Sequence, residues 1–415
     1  MPTGRFRVAM LVAALTLAAM LSAATAGAQS VLQPDFYATN SSFGNAVAVS
    51  RDGATLVVGT GCVGVSSCNN GWASVYTLSG SWSLQQILRV PRDGMSRFGL
   101  AVALAGDGNT LLVSDTYHDN YNPGQVHVFT RQSAVWSLQQ TLSSPSAGDD
   151  GFGTSVALSA DGTTAFVGAS SSHCPKAPYC GAVFVYTHEP GGWSLRQTLR
   201  EPLPANGDVF GWVVAVDGDM LLVGAPGRNC SRGDWCGAVF VFRHDGQTWQ
   251  YTQELSAPDP VGDDQFGESL AIAPGGKWAA VGAPWRTCIW PVTCVGAGRV
   301  SMLALDDTGE WVLWRHFVPT KSVRSGIFGM ALAFAADGNT LLIGQGVPNL
   351  ARAPSAWLFR TDRGDWKDTL TRAIYTPSTT SDQVINTRIA VAPAGDTLFV
   401  GIPTVESVYL LANQP

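Results

Sequence analysis

Short stretches in which apolar and polar residues alternate, parted by Asp-Gly or Gly-Gly pairs, fill most of the chain. In the first, Ala46 to Ser50 alternates, Asp52-Gly53 turns the chain, and Thr55 to Val58 returns to end at Gly59. A period of two puts successive side chains on opposite faces of a strand, and a turn glycine supplies the positive φ that a two-residue hairpin needs. The turn recurs in register at Asp107-Gly108, Asp161-Gly162, Asp217-Gly218, Gly275-Gly276, Asp337-Gly338 and Ala394-Gly395. Phe-Gly precedes each hairpin, starting at Phe43, Phe98, Phe152, Phe210, Phe266 and Phe328, with a decayed seventh copy at Ile385-Asn386. Seven units of about 55 residues therefore follow one another, a period typical of units that bury their apolar faces only by stacking on neighbours.

Each unit continues with a third alternating segment after a longer loop, as in Ala182 to Tyr186 and Ala238 to Phe242. A tryptophan opens the fourth: Trp82, Trp136, Trp193, Trp249, Trp311 and Trp366. Four antiparallel strands repeated seven times predict an all-β fold, a seven-bladed β-propeller. The last unit stops after its third segment, Ser407 to Leu411, while Ser30-Val31-Leu32-Gln33 resembles the fourth-strand text Ser83-Leu84-Gln85-Gln86. The N-terminal segment is thus expected to complete the last blade and close the ring, which leaves no exposed sheet edge at two open ends. An open solenoid would need polar capping repeats, and the sequence has none.

The first 28 residues differ from the rest. Arg5 and Arg7 precede an apolar run from Val8 to Leu21, and Ala26-Gly27-Ala28 offers small residues for cleavage. They are expected to form a secretory signal peptide, with residues 29–415 as one propeller domain and the mature chain secreted or periplasmic. No later stretch is long and apolar enough for a transmembrane span. Net charge is −6 with 13% charged residues and no basic stripe, which argues against a nucleic-acid partner. The 46 glycines suit short strands and tight turns.

The pattern resembles the FG-GAP repeat family, known from integrin α-subunit propellers and many secreted bacterial proteins. Besides the Phe-Gly pairs, Gly224-Ala225-Pro226 and Gly282-Ala283-Pro284 reproduce the second half of that motif. Gly168-Ala169-Ser170, Gly59-Thr60-Gly61, Gly344-Gln345-Gly346 and Gly401-Ile402-Pro403 are degenerate versions, and the second unit has Ser114-Asp115. The resemblance implies adhesion or recognition. Physically, phenylalanine is expected to plug the seam between blades and glycine to let backbones approach.

All eight cysteines fall into pairs with five residues between them: Cys62 with Cys68, Cys174 with Cys180, Cys230 with Cys236, and Cys288 with Cys294. Each pair brackets the loop between strands two and three of its own unit, so the repeat register selects four local disulfides, as expected in an oxidising compartment. The loop-entropy model gives roughly 2 kcal/mol for so short a loop. In an up-and-down blade these loops emerge on the same face as the turns before Phe-Gly. That face also carries Asp149-Asp150, Asp208 and Asp263-Asp264, and aromatic residues such as Trp235, Trp285 and Trp290. Long, stiffened loops on a rigid scaffold are where binding is expected. One clipped loop reads Ser231-Arg232-Gly233-Asp234-Trp235, an Arg-Gly-Asp triplet resembling the cell-attachment motif of integrin ligands.

Calcium-holding loops of integrin-type blades carry alternating aspartates, whereas Ser50-Arg51-Asp52-Gly53 and Ala160-Asp161-Gly162 offer one carboxylate each. No cofactor is expected, and the doubled aspartates are the remaining place for calcium. A Gly-x-Ser-x-Gly elbow is absent, and the six histidines lie in different registers. The expectation is a non-enzymatic module that binds a protein or glycan, with Arg232, Gly233, Asp234, Trp235, Asp149, Asp150, Asp208, Asp263 and Asp264 as candidate contacts. Two alternatives stay open: a polysaccharide hydrolase or lyase with its site at the propeller axis, and a structural module of an envelope assembly.

Overall fold

A computed structural model describes residues 30–34, 41–61, 71–90, 96–116, 124–146, 148, 150–175, 177–286, 298–319, 327–348, 356–361, 366, 370–374, 384–385, 388–392, 395, 397–403 and 406–412. The expected signal peptide, Cys62, Cys68, Cys288, Cys294, Asp149 and Trp290 lie outside them. No described helix is long and apolar enough to cross a membrane.

The chain begins with β1 (Ser30–Leu32). Blade one is β2 (Ala46–Val49), β3 (Thr55–Gly59), β4 (Ala73–Ser79) and β5 (Ser81–Leu88). Blade two is β6 (Val102–Leu104), β7 (Thr110–Asp115), β8 (Gln125–Gln132) and β9 (Val135–Ser143). Blade three is β10 (Phe152–Leu158), β11 (Thr164–Ala169), β12 (Ala182–Glu189) and β13 (Gly192–Leu199). Blade four is β14 (Val213–Asp217), β15 (Met220–Ala225), β16 (Ala238–His244) and β17 (Trp249–Ser256). Blade five is β18 (Ser269–Ile272), β19 (Trp278–Ala283), β20 (Arg299–Leu305) and β21 (Trp311–Phe317). Blade six is β22 (Ile327–Phe334), β23 (Thr340–Pro348), β24 (Ala356–Arg360) and β25 (Leu370–Ile374), with β26 (Val384–Ile385) added beside β23. Blade seven is β27 (Arg388–Val391), β28 (Thr397–Ile402) and β29 (Ser407–Ala412), completed by β1.

All seven blades are antiparallel, and the ring closes as the sequence pattern predicts: Ser30 pairs with Leu410, Val31 with Tyr409 and Leu32 with Val408. The core is divided among the seams. Phe152 packs with β12 residues Phe184 and Tyr186, and Leu112 and Val128 of blade two join the same cluster. At closure, Phe43, Leu56 and Val58 pack with Phe399, Val408 and Leu410. Every Phe of the six intact Phe-Gly pairs is 0–1% exposed. Such burial stabilises the seam by about 1.5–3 kcal/mol per ring.

Glycine sits where two blades touch through backbone. A Cβ added to Gly59, Gly168, Gly224, Gly282 or Gly401 would lie 2.0–2.3 Å from the carbonyl oxygen of the Phe-Gly glycine in the next blade. No side chain fits at that distance. A second device, on the fourth strands, repeats around the ring. The side-chain amides of Gln86, Gln140, Gln197 and Gln253 donate to the carbonyls of Trp136, Trp193, Trp249 and Trp311 at 2.8–3.0 Å. The same glutamines accept the backbone N–H of those tryptophans at 2.8–2.9 Å. A β-bulge just before each glutamine re-aims its side chain toward the next blade. In blade five Arg315 takes the place of glutamine and donates to the Trp366 carbonyl at 3.1 Å.

Candidate functional site on the clipped-loop face

Two of the four expected disulfides fall within the described residues, and both form: Cys174–Cys180 and Cys230–Cys236, with Cα atoms 6.0 and 5.8 Å apart. Inside each ring the backbone doubles back, Cys174 pairing with Ala177 and Cys230 with Gly233. The second half of each loop then runs beside the approach to the next blade's Phe-Gly. In blade three the carbonyls of Pro178, Tyr179 and Cys180 accept the N–H groups of Gly207, Val209 and Phe210 at 3.0–3.1 Å. In blade four Asp234, Trp235 and Cys236 accept from Asp263, Gln265 and Phe266 at 2.9–3.0 Å. The clip thus tethers the loop to the next blade as well as to itself.

The residue before the second cysteine is aromatic in both loops and in the left-handed region, Tyr179 at φ 56 and Trp235 at φ 59. That conformation costs a bulky residue about 1–2 kcal/mol. Their side chains nonetheless stand in solvent, 51% and 43% exposed. His173 packs on Tyr179 with ring centroids 4.9 Å apart. The whole segment Ser231–Trp235 is exposed. Gly233 has φ 149, and a Cβ there would meet Gly262 Cα at 2.9 Å, so both conformation and space require glycine.

The acidic turns need correcting. Asp150, Asp208 and Asp264 are 1–3% exposed, so they are not ligand contacts. Asp150 accepts the N–H of Phe152 at 3.1 Å and Asp208 accepts that of Ala205 at 2.6 Å. Each sits two residues before its phenylalanine; Ser41 and Ser96 stand in the same place and accept the N–H of Phe43 and Phe98 as Asp150 does that of Phe152, whereas Asp208 and Asp264 accept the N–H three residues back. A short side-chain oxygen there caps the turn. Asp208 and Asp264 also face arginines: Arg228 lies 3.0 Å from Asp208 and 3.2 Å from Glu201, and Arg286 contacts both Asp264 and Asp259. Burial above all, with Asp208 alongside, pushes the Glu201 carboxyl up to about 9 despite Arg228. Only Asp263 of the described acidic turn residues is exposed.

The aspartates between strands one and two are likewise turn formers. Asp52, Asp107, Asp161 and Asp337 each accept the N–H two residues on, at 2.8–3.0 Å. The hydroxyl of Ser159, first, and the N–H of Thr163 hold the Asp161 carboxyl below its ordinary value.

On the axis, the first strands of all seven blades surround a cavity of about 640 Å³. It opens on the clipped-loop face, since Thr116, Ser170 and Ser171, at the ends of second strands, stand on its rim. The residue two places after the Phe position contributes Asn45, Leu100, Thr154, Trp212, Glu268 and Met330 to the wall. Asn45 donates to the Leu100 carbonyl at 3.1 Å, and Thr154 reaches Ser170 at 3.1 Å. Poor hydration pushes the Glu268 carboxyl up to about 7, against the Trp212 indole N–H and the Arg388 charge, which favour its ionised form.

A model of the FG-GAP repeat family matches residues 193–242, a window running from Trp193 through Phe210-Gly211 and Gly224-Ala225-Pro226 to Phe242. The chain is a seven-bladed β-propeller that carries an FG-GAP repeat at residues 193–242. Among solved structures, the hydrazine synthase of Kuenenia stuttgartiensis superposes on it with a TM-score of 0.61 at 14% identity, over 92% of this chain and 98% of that one. At that identity the likeness is one of fold. The sequence matches no curated protein.

Two features of this propeller escape a residue-by-residue reading. The glutamine clasp is written in the sequence as Gln four places after Trp in four units, a signal visible once the fourth strands are aligned. The axial charges are written as departures: Glu268 and Arg388 occupy positions where the aligned units carry uncharged residues.

Proposed function

We propose that this propeller is an exported, non-enzymatic binding module that holds a protein or glycan through its clipped loops. One observation carries the reading: neighbouring blades present Tyr179 and Trp235 at the same loop position, exposed, in strained left-handed backbone fixed by a disulfide and an inter-blade ladder. Strain of this kind persists where the surroundings over-determine it and clusters at ligand sites. Rigid aromatic side chains give large contact area at low entropic cost, and pre-fixed loops lose little freedom on binding. The disulfides favour export into an oxidising compartment.

Adhesion through the Arg-Gly-Asp loop is a finer version of the same reading. Arg232 and Asp234 are exposed on either side of Gly233, where a partner's carboxylate and metal ion would meet them. Against catalysis, Glu268 is the one carboxylate lining the axial cavity among the described residues, whereas glycoside hydrolysis ordinarily uses a pair. The reading needs no cofactor. Screening the protein on a glycan array and on immobilised cell-surface proteins tests it. Binding that disappears in the Tyr179→Ser/Trp235→Ser variant is the expected result; binding that survives this double change overturns the assignment of the site. Asp234→Glu should reduce attachment of integrin-bearing cells, and unchanged attachment removes the adhesion version alone.

A further inference from the structure

The axial cavity is chemically distinct from the loop site. Three places after the Phe position, six blades carry residues no larger than valine: Ala46, Ala101, Ser155, Val213, Ser269 and Ala331. Blade seven carries Arg388, whose Nε donates to the Asn45 carbonyl at 3.1 Å. Glu268 lines the same cavity from blade five. The two charges sense each other, yet among the described residues they form no ion pair within 4.0 Å. Arg97 is the remaining charged group on the wall; its backbone N–H is held by Asp115. Trp212, beside Glu268, is 40% exposed. One residue deeper the wall turns aliphatic, with Val47, Val156, Val214 and Leu270.

Opposite charges that share a poorly hydrated space without pairing leave each other's desolvation uncompensated. A molecule bearing both complementary charges would compensate them together. We propose that the axial cavity binds a zwitterion of the amino-acid or short-peptide class, with its ammonium on Glu268 beside Trp212, its carboxylate on Arg388, and an apolar side chain against the aliphatic layer. A cavity of about 640 Å³ lies within the size range of small-ligand sites. The inference does not depend on the loop-face reading.

Calorimetry on the intact protein with the dipeptide Leu-Leu, its N-acetyl form and its C-terminal amide tests the assignment. The free dipeptide should bind, and either cap should weaken binding by about 10-fold or more. In Glu268→Gln the free and acetylated peptides should become equivalent; in Arg388→Gln the free peptide and the amide should. The capped peptides test the claim on the unaltered chain, whatever the variants do to folding. No binding by any of the three peptides, equal affinity for free and capped forms, or unchanged cap discrimination in folded variants would each overturn it.

Discussion

The seams between blades and the loop face obey opposite rules. At the seams the copies agree: a buried phenylalanine, glycine against glycine backbone, and a glutamine that clasps the next tryptophan. At the face and on the axis they diverge. The wall position that is Leu100 in blade two is Trp212 in blade four and Glu268 in blade five, and among the cysteine-bracketed loops that of blade four carries Arg-Gly-Asp. In a repeat ring, agreement between copies marks what every junction must do mechanically, and departure marks what one place does alone. Ser114 is the instructive exception, because it stands in blade two where other blades have the seam glycine. Gly153 of blade three lies beside its Cβ, and its hydroxyl accepts the Ala101 N–H at 2.9 Å. The junction absorbs a small side chain there by giving it a hydrogen bond.

The sharpest way to break the comparison is at a seam glycine. Gly224→Val places carbon 2.2 Å from the Gly267 carbonyl and should cost about 3 kcal/mol or more, read as a lower urea midpoint. Gly80→Ala, with no atom within 4 Å and φ 76, should cost only about 1–2 kcal/mol from backbone strain; equal losses would remove the steric account of the seams. Next in size is the clasp. Gln197→Ala leaves the Trp249 N–H and carbonyl without their partner and should cost about 1–3 kcal/mol, with a similar loss for Gln140→Ala.

Smaller again is a pH effect at the seam of blades three and four. Above the ordinary glutamate value of 4.5 the unfolded chain has released the Glu201 proton, while the folded chain keeps it up to about 9. The folded state therefore binds more protons across that window, and stability falls as pH rises through it. Glu201→Gln should flatten that part of the melting-temperature profile. A profile unchanged by the substitution would show that the carboxyl does not hold its proton.

The propeller, its seven blades and the closure by Ser30–Leu32 were legible in the sequence because period-two alternation and turn glycines repeat without reference to distant contacts. So was the pairing of Cys174 with Cys180 and of Cys230 with Cys236, which the repeat register alone selects. The acidic turns were misread because exposure is a tertiary property. Asp208 and Asp264 look like solvated loop residues until Arg228 and Arg286, some twenty positions on, fold back over them. The axial pair was silent for a related reason: Glu268 and Arg388 belong to blades separated by a third, and only ring closure brings both to one cavity.

The most direct test crosses the two rules on two variants. Urea unfolding and array binding would be measured for Gln197→Ala and for Tyr179→Ser/Trp235→Ser. The account predicts a lower midpoint with binding kept in the first, and an unfolding free energy within about 0.5 kcal/mol of the parent with binding lost in the second. The reverse pattern, or both properties falling together in both variants, would contradict the division between a repeated scaffold and a divergent binding face.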